Sequence, residues 1–264
     1  MKKFIMKITR TLITCLLLGT GNVLLAQNNF VEDGTIEFEK SVNTFAIMKK
    51  QLDSEKSMQA YFLPIFEQHK KTQPQFKVLK STLSFSKDKT LFEPITGIDK
   101  PLPFLSGNPA VEQYNTVYTD LSAGSMVNQK LVFEQTFLLK DNTRKIIWKI
   151  TDETREIAGY NCRRANGIML DSIYVVAFYT ISIPVSGGPE SFSGLPGMIL
   201  GVALPHENIT WFATKVTGKA VTPLKIPAKG KVVTNKELEA TLQTALKNRG
   251  TPTQMQTILK AFLL

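Results

Sequence analysis

The sequence predicts a mainly β, α+β fold: a curved antiparallel sheet, half-barrel-like, with one helix toward its N-terminal side and a helical appendage at its C-terminal end. Three observations carry this. From Phe76 to Ala213 short runs of alternating apolar and polar residues are separated by Gly, Pro, Asn and Asp. Helical spacing of apolar residues shows only from Met58 to Phe66 and again after Thr234. A chain of 264 residues that is 43% hydrophobic has enough apolar material for one core.

The first segment, residues 1–26, reads as a secretory signal peptide. Lys2, Lys3, Lys7 and Arg10 form a basic stretch without an acid, and an apolar run from Leu12 to Leu18 follows. Gly19 to Asn22 tend to break a helix, and Ala26 offers a small residue for cleavage. A membrane span wants about 20 apolar residues in a row, and Thr14, Gly19, Thr20 and Asn22 interrupt this one. The mature chain is therefore expected to carry no transmembrane span. Leu12-Ile13-Thr14-Cys15 loosely resembles a lipobox, but Thr14 is a poor residue before the cysteine and the apolar run continues past it.

Cleavage lowers the formal charge from +10, leaving 28 Lys+Arg against 22 Asp+Glu. It also leaves one thiol, Cys162, so the mature chain has no disulfide of its own and rests on its core. Arg163-Arg164 and Lys225 to Lys231 are the densest basic stretches, and neither has the aromatic interleaving of a nucleic-acid surface. No nucleic-acid partner is expected.

Residues 27–220 read as the β-rich domain. Alternation over Thr35 to Lys40 gives a first strand. Met58, Tyr61, Phe62, Ile65 and Phe66 share one face of a helix that Asp53 or Ser54 caps and Pro64 bends. Strand pieces follow at 78–79, 83–85 and 90–93, then an irregular loop at 94–109. A hairpin pairs Tyr114 to Leu121 with Met126 to Leu139 across Ser122 to Ser125. On its second arm Leu131, Phe133, Phe137 and Leu139 face one side and Val132, Glu134, Thr136 and Lys140 the other.

Alternation resumes from Lys145 to Ile150, Gly159-Tyr160 marks a turn, and a second hairpin joins Ala165 to Leu170 with Tyr174 to Thr180 around Asp171-Ser172. After a Gly/Pro-rich loop, Met198 to Leu200 and Ile209 to Ala213 are strands. Residues 221–233 read as a linker. Residues 234–264 read as the helical segment, opened by the capping box Thr234-Asn235-Lys236-Glu237. Leu238, Leu242, Ala245 and Leu246 form its apolar face, Gly250 stops it, and Pro252 starts a further turn or two.

The stretch Pro184 to Leu200, with Gly194-Leu195-Pro196-Gly197-Met198-Ile199 at its end, resembles the signature of the GLPGLI family of exported proteins from Bacteroidetes-type bacteria. Met198 stands where that family has leucine. Trp148 to Cys162 looks like the block before the signature, and Tyr174 to Thr180 resembles a strand in which Phe178 replaces a tryptophan. The resemblance spans most of residues 35–216. It implies export, a β-rich fold and a Bacteroidetes-like host; it implies no reaction, because the family has no assigned catalytic residues.

The candidate ligand- or partner-binding loop comprises Gly187, Gly188, Pro189, Gly194, Leu195, Pro196 and Gly197. Pro196 presets one turn position and Gly197 fits the left-handed position of a type II turn. A rigid lead-in to a buried strand is the structural alternative; a binding lip must instead be exposed beside a cavity. Cys162 reads as a small buried hydrophobe, since a nucleophile wants a histidine base and neither His69 nor His206 is tied to it in sequence. Two histidines and one cysteine without ligand spacing give no metal site. Asp152, Glu153 and Glu156 lack the spaced oxygens of a calcium loop, and no cofactor motif is present.

The expectation is an exported, non-enzymatic envelope protein, periplasmic, outer-membrane associated or secreted. It binds an apolar small molecule or an envelope protein. A hydrolase with an unrecognised carboxylate or hydroxyl site, and a structural accessory of an outer-membrane complex, are the alternatives. A carrier should show a deep apolar cavity, an enzyme converging carboxylates or a hydroxyl beside a base, and an accessory an exposed apolar patch.

Overall fold

Alternation over a long stretch of chain builds one sheet. In this computed structural model residues 31–264 are described, except 55, 96–104, 106–107, 113–114, 220–222 and 248–251. The leader and its cleavage position lie outside the described residues, as do most of the 94–109 loop and Gly250.

The strands are β1 (Asp33–Asn43), β2 (Phe76–Ser86), β3 (Lys89–Pro94), β4 (Asn115–Asp120), β5 (Ser125–Val132), β6 (Gln135–Asn142), β7 (Lys149–Ile157), β8 (Tyr160–Met169), β9 (Ile173–Thr180), β10 (Met198–Leu204), β11 (Ile209–Gly218) and β12 (Lys231–Val233). They lie in the order β12-β6-β5-β4-β3-β2-β1-β11-β10-β9-β8-β7 in an open, curved sheet. Two antiparallel meanders, β1 to β6 and β7 to β11, are joined where β11 pairs back onto β1. The mainly β, curved antiparallel architecture read from the sequence is the one observed.

The helices are α1 (Thr44–Ser54), α2 (Gln59–Thr72), α3 (Asn235–Leu246) and α4 (Pro252–Leu263). The sequence reading has no counterpart for α1. Asn43 Oδ1 caps it by accepting from the Ala46 amide at 3.1 Å, and it buries Met48 and Leu52, four residues apart on one face. On α2 the buried positions are Phe66 and His69, while Tyr61, and Met58 just before the helix, are exposed, so the apolar face is rotated from the one expected. The capping box forms as read: Thr234 Oγ1 accepts from the Glu237 amide and the Glu237 carboxylate accepts from the Thr234 amide.

Two further departures have local causes. The expected long arm from Met126 to Leu139 is two strands, because Phe133 takes φ +53° in a tight turn between β5 and β6. The turn puts Val132 on the same side as Phe137 and Leu139 and leaves Leu131 and Phe133 exposed. At the end of the expected linker, Lys231–Val233 is a strand, paired in parallel with Phe137 to Leu139 of β6. That pairing anchors α3 and α4, whose Leu238, Leu242, Leu246, Leu259 and Phe262 pack on Val132, Phe137 and Leu139. Ala245, by contrast, is exposed, and α4 runs 12 residues from Pro252 to Leu263.

One face of the sheet is the inner one. Ile36, Phe38, Lys40 and Val42 of β1 alternate onto it, as do Leu79, Ser81, Leu83 and Phe85 of β2 and Ile209, Trp211 and Ala213 of β11. Register places Lys40 opposite both Trp211 and Leu79. The 181–197 connection lies across this face, with Ile183, Val185, Phe192 and Leu195 in the same core cluster as Met48, Phe66 and Trp211. On the other side the sheet curls until β7 meets β11, and Arg155 covers the Phe178 and Phe212 rings at 5.8 and 4.7 Å.

Candidate functional site

The glycines of the β9–β10 connection let it cross the sheet closely. A Cβ on Gly197 would lie 2.2 Å from the Thr180 carbonyl oxygen, and one on Gly188 would lie 2.8 Å from Ile199 Cβ. Gly194 adopts φ +93° beside the Trp148 indole, whose Nε1 donates to the Ser193 carbonyl at 3.0 Å. Ser186 Oγ donates to the Leu195 carbonyl at 2.6 Å, tying the two ends of the loop together. The expected type II turn is not formed. The Gly197 amide donates to Leu195 in a three-residue turn about Pro196, and the Met198 amide donates to Ile183.

Of the seven candidate loop residues, Gly187, Gly188, Pro189, Leu195 and Gly197 are buried, and Gly194 and Pro196 are exposed. By the criterion of exposure beside a cavity, these seven read as a plug seated on the sheet. Earlier in the same connection, Pro184, Val185 and Ser186 border a cleft of about 550 Å³, shared with Glu32, Lys87, Asp88, Leu121 and Ser122.

The plug carries a charge inward. Glu190, in the middle of the loop, is 6% exposed and takes φ +52°, a conformation that a non-glycine residue seldom adopts. Its Oε2 accepts from Asn115 Nδ2 at 2.9 Å. Burial pushes its carboxyl up, against the opposing pull of Lys40, the Asn115 hydrogen bond, Lys130 and Arg144. Three cations, of which Arg144 is half-buried, thus act electrostatically on one carboxylate.

Each cation has its own support. Lys40, 4% exposed, lies with Nζ 5.2 Å from the centre of the Trp211 ring. Lys130, 5% exposed, donates to the Phe262 carbonyl at 2.6 Å, and Arg144 Nη2 donates to the Leu263 carbonyl at 2.6 Å. The C-terminal end of α4, where helix carbonyls are unpaired and the dipole is negative, therefore sits on the two cations. Around them Ser81 Oγ, Asn128 Oδ1 and Trp211 Nε1 are buried without a partner among the described residues, an incompletely satisfied polar interior.

Burial brings both lysines down to about 8 from an ordinary 10.5, Glu190 opposing the fall in each case. Arg144 falls to about 10, again by burial against the pull of Glu190. The folded chain therefore releases the lysine protons first. Between about pH 8 and pH 10 the unfolded chain binds more protons, so stability rises with pH through that window. Glu190 acts in the opposite sense at lower pH: its raised carboxyl favours folding below the ordinary range and loses that contribution as pH rises through the folded value. Urea midpoints are expected to climb from pH 8 to pH 10, and to climb less in Lys130→Met. A flat or falling profile would contradict the burial of these ammonium groups.

Other candidate chemistry is dispersed. Cys162 is 0% exposed and its thiol is pushed up to about 12, chiefly by burial. It is expected to resist maleimide at pH 8 in the folded chain and to react in full in denaturant; native labelling would contradict this burial. His69, its ring nitrogen 3.3 Å from Thr44 Oγ1, is lowered by burial and belongs to the α1–α2 packing, while His206 lies in a surface turn beside Tyr174. Asp152 and Glu153 lie on β7 and pair with Arg163 and Arg164. Among the described residues no three His, Cys, Asp or Glu gather to hold a metal, and no helix is long and apolar enough to cross a membrane.

A cavity of about 150 Å³ opens beside Lys130, between β4, β5 and α4; Pro109, Glu112, Asn115, Leu131, Phe133, Ala261 and Phe262 complete its wall. Neither cavity is the deep apolar chamber expected of a carrier, since the chain's own loop and helices fill the inner face.

A family model described as a protein of unknown function, Porph_ging, matches residues 168–201, from the end of β8 through the loop into β10. Among solved structures the chain is similar to PNGF-II in its C2 crystal form, at 16% identity and TM-score 0.48, over 87% of this chain and 33% of that one. The P21 form of PNGF-II gives 17% identity and TM-score 0.46 over 77% and 31%. An uncharacterized conserved protein from Thermus thermophilus gives 6% identity and TM-score 0.38 over 79% and 93%. The chain thus spans about a third of the length of PNGF-II. No curated protein matches it.

Proposed function

We propose that this chain is an exported, non-enzymatic binding protein of the cell envelope in a Bacteroidetes-type bacterium, and that it belongs with the GLPGLI proteins its loop resembles. The observation that carries the binding reading is the cluster of buried Lys40, Lys130 and Glu190 with half-buried Arg144, with a cavity open beside Lys130. It has the makings of a recognition spot: fixed charge, low dielectric and a mouth lined by Leu131 and Phe133. A hydrolase would want a nucleophile beside a base or two converging carboxylates, and the cluster offers one carboxylate among cations. Filling of the sheet interior moves the proposed binding place from the sheet centre to this edge, where β5 meets α4.

Protein purified from its own host tests the reading. Native mass spectrometry is expected to show one bound amphiphile or a co-purified envelope protein, on a chain that begins at Gln27. A ligand-free, partner-free chain starting at Met1 would overturn it. The accessory reading has one observation in its favour: Met58, Tyr61 and Leu63 are 44%, 63% and 43% exposed along α2 and the turn before it. Cross-linking through that face, with nothing bound at Lys130, would favour the accessory.

A further inference from the structure

Among the described residues Lys130 has hydrogen-bonding capacity to spare. An ammonium carries three donors, and among the described residues Lys130 Nζ makes one hydrogen bond, to the Phe262 carbonyl at 2.6 Å. Its side chain also lines the cavity of about 150 Å³, beside Phe262, whose carbonyl accepts from Nζ. The charges around it do not balance: Lys40, Lys130 and the half-buried Arg144 face the buried carboxylate of Glu190 and the half-buried Glu112 on the cavity wall, and the helix carbonyls of Phe262 and Leu263 supply only partial negative charge. Excess positive charge held out of water favours an anion that can reach it.

The wall of the cavity says what kind of anion. Its volume suits a head group of a few atoms, not a whole lipid. At its mouth Leu131 is 37% and Phe133 47% exposed, and the Phe133 ring packs edge-on against Phe262 at 5.1 Å. Ala261 contributes a further apolar surface. A polar floor with an apolar lip fits a molecule with an acidic end and a hydrocarbon body.

We propose that the β4–β5–α4 cavity is a binding site for an amphiphilic carboxylate, its head group accepting from Lys130 Nζ and its alkyl chain running out over Leu131 and Phe133. The site rests on the binding reading above and narrows it to one ligand class. Asn115 forms the back of the site, its amide already committed to Glu190. Glu112 is the one acidic side chain among the residues lining the cavity, and it opposes an anionic head group.

Calorimetric titration of the folded chain with sodium octanoate, octan-1-ol and inorganic phosphate tests this. Octanoate is expected to bind one per chain, with the alcohol and phosphate each about tenfold or more weaker, since the alcohol lacks the charge and phosphate the tail. Lys130→Met should weaken octanoate by about tenfold or more, Glu112→Gln should tighten it a few-fold, and Ala261→Trp should block it by filling the cavity while leaving every charge in place. The last variant keeps the test valid if Lys130→Met does not fold. Equal binding of octanol, equal binding of phosphate, or octanoate binding indifferent to Ala261→Trp would each overturn the proposal. An absence of octanoate binding would overturn it too; if a bound neutral lipid were found on protein from the host, the broader binding reading would survive that failure.

Discussion

Gly197→Ala is expected to destabilise the chain by about 3 kcal/mol or more, the range in which a rigid clash in a packed interior has nowhere to relax. The added Cβ would meet backbone, not a side chain: Thr180 O at 2.2 Å, Thr180 C at 2.8 Å and Ile181 Cα at 3.1 Å. Side chains turn aside at small cost, but here the last residue of β9 would have to move away from β10, breaking the Met198↔Thr180 pairing. Gly159→Ala is the control. Gly159 also has positive φ, at +82°, but nothing lies within 4 Å of its Cβ position, so its cost should be about 1–2 kcal/mol from conformation alone. Denaturant midpoints that rank the two variants equally would show that close approach is not what Gly197 provides.

The second large effect belongs to Glu190→Gln. Removing one partner of a buried ionic cluster typically costs about 3–5 kcal/mol, because the remaining charges stay out of water uncompensated; the burial that disfavours the charged form of Glu190 offsets part of this. Glutamine keeps the shape and an oxygen for Asn115, so the loss isolates the charge. It should be greatest near pH 7 and shrink above about pH 8, where Lys40 and Lys130 lose their protons in the folded chain. If Glu190 were already protonated at pH 7, the substitution would be nearly silent there, and the joint between loop and sheet would be a neutral one.

Much of the sheet was legible because period-two alternation survives wherever one face is buried. The β8–β9 hairpin, the β4–β5 turn and the Thr234 capping box lie where their residues place them. The strand β12 was hidden because three residues in a Pro/Gly/Lys-rich stretch carry no period; only the tertiary partner β6 makes them a strand. Helix α1 left a signal, Asn43 before Phe45, Met48 and Leu52, that the adjoining strand obscured. The site also left a trace. Lys40 follows Ile36 and Phe38 on the apolar register of β1, and Lys130 follows Met126 on that of β5. A lysine on the buried side of an alternating strand wants a counter-charge. Its partner Glu190, in an irregular loop, has no such pattern, so the cluster emerges only when the β9–β10 connection is laid over the sheet. The loop glycines drew attention for conformational reasons and prove to be the means by which Glu190 is delivered.

The proposed binding site depends on Glu190 and Lys130 sharing one buried electrostatic joint, and a double-mutant cycle measures that directly. Glu190→Gln, Lys130→Met and the double variant, unfolded in urea at pH 7, should show a coupling of about 1–3 kcal/mol, with the double variant more stable than the two single losses sum to. Additive losses, within about 0.5 kcal/mol, would mean that the two groups do not interact, and the anion site would lose its physical basis.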